Sequence, residues 1–137
     1  MEKIGEQGPL GGVTPHLVVN DAPAAIDFYK QAFAATEYLR MLADDGKRVM
    51  HAHLGINGGS VMLHDDFPEY RGGAPLPEVA GVTMHLQVDD TDAWFDRAIA
   101  AGASVTMAPE DMFWGDRYAQ VKDPFGHSWA FGATIRN

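Results

Sequence analysis

Six histidines stand in 137 residues with no cysteine, and five of them, His16, His51, His53, His64 and His85, fall in apolar-polar alternating stretches rather than in loops. Imidazole is the one side chain whose ordinary titration lies near neutrality. Such a group can donate and accept hydrogen bonds, carry a proton, or ligate zinc, nickel or iron. A second candidate group is Trp114, Arg117 and Tyr118, an aromatic plate, a fixed cation and a phenol within five residues. Together they suit an anionic or planar ligand through stacking and forked hydrogen bonds. The competing assignment packs Trp114 into the domain and pairs Arg117 with Asp111 or Asp116. Asp65, Asp66 and Glu69 could supply a general base, although acidic residues in loops are mostly solvated.

Several chemistries are excluded at this level. Without cysteine there is no disulfide, no thiolate nucleophile and no zinc–sulfur site. Neither a Gly-x-Ser-x-Gly elbow nor a phosphate-binding Gly-x-x-x-x-Gly-Lys-Ser/Thr loop occurs. Met41, Met50, Met62, Met84, Met107 and Met112 read as fillers of a core or cleft rather than as copper ligands. His127 reads as a turn residue that caps or packs.

The elements that must position these groups come from an internal repeat. Thr14-Pro-His-Leu-Val-Val-Asn-Asp21 overlies Thr83-Met-His-Leu-Gln-Val-Asp-Asp90 at an offset of 69, and the match continues from 24–33 onto 93–102. A later match, 58–63 on 126–131, needs an offset of 68. Two modules follow, 13–64 and 82–134, with 65–81 as linker. Each predicts a strand, a helix and three strands: 13–19, 23–33, 36–41, 48–56 and 60–64, then 82–88, 92–101, 104–107, 117–121 and 128–134. Helix starts fall near Asp21 and near Asp90 or Thr91, whose side chains cap free amides. Asp44-Asp-Gly46, Asn57-Gly-Gly59 and Asp123-Pro-Phe-Gly126 carry turn chemistry.

Alternation along the strands assigns faces. Pro15, Leu17, Val19, Met50, Ala52, Leu54, Ile56, Val61, Leu63, Met84, Leu86, Val88, Trp129 and Phe131 form the apolar set that helices should cover. The opposite set holds Thr14, His16, His51, His53, Ser60, Met62, His64, Thr83, His85, Gln87, Tyr118, Gln120, Ser128 and Ala130. A merely solvated face more often carries Lys, Glu and Thr, so this residue choice predicts a binding cleft.

A length of 137 residues suits one domain with a substantial core, and 46% hydrophobic with 21% charged residues is ordinary globular usage. The net charge of −9 offers no basic stripe, which argues against nucleic acid and anionic membranes and for a small-molecule partner. The first twelve residues do not read as a signal peptide and no stretch is apolar enough to span a bilayer, so a cytoplasmic location is expected.

The paired βαβββ repeat, the run Asp21 to Tyr29 with Ile26-Asp-Phe-Tyr29, and Asp123-Pro-Phe-Gly-His127 before the last strand together resemble the vicinal oxygen chelate superfamily of glyoxalases, bleomycin-resistance proteins and dioxygenases. Asp111-Met-Phe-Trp-Gly-Asp-Arg-Tyr118 looks like its PhnB-like branch. The resemblance covers residues 13–131. It implies an α+β fold in which two βαβββ modules form a curved mixed sheet around a cleft, with helices on the convex side and pairing in a homodimer. It also implies a divalent metal, held by one residue from the first and last strand of each module and chelated by a substrate with neighbouring oxygens.

Carried over by position, those ligands become Thr14, Met62, Thr83 and Ala130, a set without a good metal donor. The resemblance therefore implies a small, oxygenated or anionic ligand held in the cleft, as in the bleomycin-resistance proteins, with no metal favoured. His16, His53, His64, His85, Trp114, Arg117 and Tyr118 are its expected contacts. The alternative is a lyase, isomerase or dioxygenase using a divalent metal shifted onto His16, His64 and His85. No residue is assigned a catalytic role.

Overall fold

The computed structural model describes residues 8–136. Its elements run β1 (His16–Val19), α1 (Ala22–Phe33), β2 (Thr36–Leu42), β3 (Val49–Ile56), β4 (Gly59–Asp65), a 3-10 turn (Pro68–Arg71), β5 (Thr83–Gln87), α2 (Thr91–Ala101), β6 (Ser104–Asp111), β7 (Asp116–Lys122) and β8 (Ser128–Thr134). Two four-stranded mixed sheets result, ordered β1-β4-β3-β2 and β5-β8-β7-β6, the α+β arrangement that the repeat predicted. In each, the first strand pairs parallel with the last, as β1 with β4 and β5 with β8, and the other pairs are antiparallel. The described residues fall into two compact units, 8–30 with 34–77 and 31–33 with 78–136.

Local chemistry sets the element boundaries. Asp21 caps α1 by accepting from Ala24 N at 3.1 Å, and Asp90 caps α2 by accepting from Ala93 N at 3.1 Å. The β3–β4 hairpin turns on Asn57 and Gly58, whose φ values of 50° and 80° are the left-handed pair a tight primed turn demands. Asp65, buried at the end of β4, joins two other elements. Its Oδ1 accepts from Ala22 N at 2.7 Å and its Oδ2 from Val49 N at 2.6 Å. Asp123 does the same for the last turn, accepting from Phe125 N and His127 N, and from Trp129 Nε1 at 2.9 Å. Asp65 is therefore a buried structural group, neither a solvated acid nor a free general base.

Burial follows the expected parity in the first strand of each module. Leu17 and Val19 are buried while His16 is exposed, and Met84 and Leu86 are buried while Thr83, His85 and Gln87 are exposed. Parity fails in β3, where Met50 is exposed and Val49 is buried. Between Met41↔His51 and Leu42↔Val49 the register shifts by one residue, so Met50 is a bulge and the strand end is turned over. A second bulge places Tyr38 outside the ladder of β2, and a matching one occurs at Thr106 in β6.

Candidate functional site

In the first unit the residues of parity opposite to Leu17 and Val19 bring three histidines together. The His16 ring stands edge-on to His64 at 5.0 Å and to His51 at 5.8 Å between centroids. Strands β1, β4 and β3 position them, because β1 pairs with β4 and β4 with β3. His64 Nδ1 lies 2.6 Å from the Asp65 carbonyl oxygen, which can only accept, so that nitrogen carries the proton and a neutral ring keeps Nε2 as an acceptor.

Burial draws His16 below its ordinary value of 6.5, and His64 and then His51 add to the shift. His51 is lowered for the same reasons, burial first, then His53 and His64. In the unfolded chain both rings protonate near 6.5, but in the fold only at lower pH. The unfolded state therefore binds more protons inside that window, and stability must fall as pH drops through it. Urea midpoints are expected to decrease from about pH 7.5 to about pH 5 and the His16→Gln variant to show a flatter slope. A wild-type profile level over that range would count against a mutually repelling cluster.

His53 is on the same parity yet only 2% exposed. Tyr38 leans over it with ring centroids 5.0 Å apart, and its Nε2 lies 2.8 Å from Ser60 Oγ. The bulge lets Tyr38 reach inward, and Gly55 leaves room for it: a Cβ there would stand 2.6 Å from the Tyr38 hydroxyl. His53 Nδ1 is buried without a hydrogen-bond partner. His53 is a packed histidine here, not an open ligand contact.

The second unit holds His85, Tyr118 and Trp114. His85 stacks on Tyr118 at 6.1 Å with planes 12° apart, and Tyr118 meets Trp114 edge-on at 5.7 Å. Gln87 Oε1 lies 2.8 Å from His85 Nε2, and Gln120 Nε2 donates to the Tyr118 hydroxyl at 2.8 Å. Gly132 permits this packing, since a Cβ there would fall 2.8 Å from the His85 ring. Arg117 does not join them. It shares the parity of Ala119 and Val121, and its Nε donates to Asp92 of α2 at 2.7 Å and its Nη1 to Asp111 at the end of β6 at 3.1 Å. These two carboxylates, Asp92 foremost, strengthen its protonated form. The expected trio is thus divided between two faces, with the aromatics on one and the cation on the other.

Sequence reasoning missed a pocket of about 330 Å³ in the first unit, lined by Val18, Met50, His64, Phe67, Tyr70 and Arg71. Phe67, Tyr70 and Arg71 come from the segment assigned as linker, which instead forms a 3-10 turn. Two aromatics three residues apart around Pro68 and Glu69 were the available signal. Asp66 and Glu69 are spent on ion pairs, with Arg71 at 2.6 Å and Arg48 at 2.7 Å.

The four positions that would hold a divalent metal do not fit one. Ala130 is buried and has no donor, Met62 offers a thioether, and Thr14 and Thr83 offer hydroxyls. Among the described residues no group of three or more His, Asp or Glu could hold a metal ion. His16 and His64 lie together, whereas His85 belongs to the second unit.

Two βαβββ modules with these open-face groups define a class that comparison with known proteins makes specific. Residues 11–131 match the Glyoxalase/Bleomycin resistance protein/Dioxygenase superfamily, and the chain belongs to that family. An uncharacterized protein of Mycobacterium bovis is 53% identical over 128 residues, covering 90% of this chain and 84% of that one. The crystal structure of TioX from Micromonospora sp. ML1 is similar with a TM-score of 0.71 at 30% identity, covering 91% of this chain and 99% of its own. The PhnB protein of Bacillus cereus shares the fold alone, with a TM-score of 0.70 at 16% identity over 90% of this chain and 100% of that one. No helix among the described residues is long and apolar enough to cross a membrane.

Proposed function

We propose that this chain binds a small oxygen-bearing molecule at its histidine-bearing face and carries out no chemistry that depends on the family's metal site. The observation that carries the reading is the cluster of His16, His51 and His64, in which His16 stands edge-on to His64 at 5.0 Å and to His51 at 5.8 Å, with His16 and His51 held toward the neutral form. Neutral imidazoles offer both a donor and an acceptor to hydroxyl and carbonyl groups, and a few such groups among apolar neighbours suffice to orient a ligand. The residues at the metal positions support the same direction. His85, Tyr118 and Trp114 would supply stacking contacts in the second unit, and His53 a packed support behind Tyr38. Arg117 enters only if a ligand displaces Asp92 or Asp111. On the segment Asp111 to Tyr118 we place the chain in the PhnB-like branch, acting as a homodimer in the cytoplasm.

One experiment tests the reading. Protein purified without an affinity tag is expected to run in light scattering at twice its 14.9 kDa chain mass and to carry no stoichiometric metal. It should also leave the methylglyoxal–glutathione hemithioacetal unchanged in the presence of nickel or zinc. Histidine ring resonances should move when lactate or catechol is titrated in. One equivalent of nickel, zinc, iron or manganese bound through His16, His64 and His85, with turnover, would instead establish the shifted-metal lyase, isomerase or dioxygenase.

A further inference from the structure

The pocket beside His64 has a composition that selects its occupant. One wall is a run of three rings: His64 to Phe67 at 6.1 Å and 38°, then Phe67 to Tyr70 at 5.8 Å and 36°. Val18 and Met50 add apolar surface, and Met50 is available because the β3 bulge turns it out to 41% exposure. Phe67 is itself 6% exposed, with the Arg48 guanidinium over its ring at 4.4 Å from the centroid. Tyr70, at 74% exposure, is the movable part of the wall. About 330 Å³ lies at the small end of the range for sites that enclose organic ligands.

Polarity narrows the choice further. Both terminal nitrogens of Arg71 are engaged, Nη1 with Asp66 at 2.6 Å and Nη2 with the Ala74 carbonyl at 2.9 Å. Arg48 is engaged by Asp45 and Glu69, each at 2.7 Å. Each guanidinium charge is already balanced by a carboxylate, with Arg71 Nε alone buried without a hydrogen-bond partner, and the chain's net charge of −9 opposes an anion. What the pocket does offer is the acceptor nitrogen of His64, because its other nitrogen is committed to the Asp65 carbonyl.

Resting on the small-molecule reading above, we infer that this pocket takes an uncharged planar ring bearing one hydroxyl or N–H donor. The ring lies along Phe67 and Tyr70, and its donor meets His64 Nε2. Aromatic packing supplies most of the affinity and the single hydrogen bond supplies the selectivity.

Calorimetric titration of the full chain with three naphthalenes tests this assignment: 2-naphthol, 2-methoxynaphthalene without the donor, and the anion 2-naphthoate. One-to-one binding is expected to be tightest for 2-naphthol and about threefold to tenfold weaker for the ether, the worth of one hydrogen bond. The anion should bind weakest. His64→Phe should remove the preference for 2-naphthol over the ether. Tyr70→Ala, at an exposed ring that the fold does not need, should weaken both alike. Equal binding of the phenol and the ether by the wild-type chain overturns the assignment, as does tighter binding of 2-naphthoate. If 2-naphthol binding responds to His16→Phe but to neither His64→Phe nor Tyr70→Ala, this pocket is wrong while the histidine-face reading stands. Absence of binding by all three rings together with lactate or catechol shifts at His16 and His51 separates the two in the same way.

Discussion

Asp65→Ala is expected to destabilise the fold by about 3 kcal/mol, lowering Tm by about 10 °C, because hydrogen bonds to a charged group contribute roughly 1.5–3 kcal/mol each. The Asp65 carboxylate is 4% exposed and holds two amides, Ala22 N at the start of α1 and Val49 N at the start of β3. Alanine would leave both donors buried without an acceptor, which costs more than the loss of a surface contact. Asp65→Asn keeps one carbonyl oxygen but turns an amide group toward the second donor, so about two-thirds of the loss should remain. Urea unfolding of the three proteins measures this. A cost below about 1 kcal/mol for alanine would mean that water replaces the carboxylate and that the bridge is not structural.

A still larger effect, about 4 kcal/mol, is expected for Asp123→Ala, since that carboxylate satisfies three donors. Two are backbone amides of the turn, Phe125 N and His127 N, and the third is the indole of Trp129, which is wholly buried. Trp129→Phe removes only the indole donor and some ring volume, leaving the two amide bonds in place, and should cost about 2 kcal/mol. In the double variant the indole term is lost only once, so the two costs should fail to add by about 1 kcal/mol or more. Full additivity would show that Asp123 and Trp129 are energetically independent despite their 2.9 Å contact.

Much of the fold was legible because it rests on local rules. The repeated Thr-x-His-Leu-x-Val-x-Asp run placed β1 and β5, and the caps at Asp21 and Asp90 placed the helices within a residue of their observed starts. Alternation set the faces of Leu17, Val19, Met84 and Leu86 correctly. It failed at Met50 because a bulge inserts one residue without any mark in a hydrophobic pattern. The division of Trp114 and Tyr118 from Arg117 was available in principle, since residues 117, 119 and 121 share a parity, and proximity in sequence obscured it. The role of Asp65 was not available, because its partner Ala22 lies 43 residues away and nothing local announces a bond across that span. The pocket at His64 was hidden for a similar reason. Phe67 and Tyr70 sit among prolines and glycines that signal a connection, and their value depends on β1, β3 and β4 reaching the same place.

The two modules carry matching bulges at Tyr38 and Thr106, and each ladder shifts a second time on a different strand, at Met50 in β3 of the first and between Met107 and Glu110 in β6 of the second. Duplicated halves usually drift apart by exchange of side chains at fixed positions. Here the bulge at Met50 turns over the end of β3 and changes which side chain faces outward, so a methionine that would have been core becomes a wall of a cavity. Moving the second bulge from one strand to its neighbour is enough to give the two modules different outward surfaces, while the ladder on either side is kept.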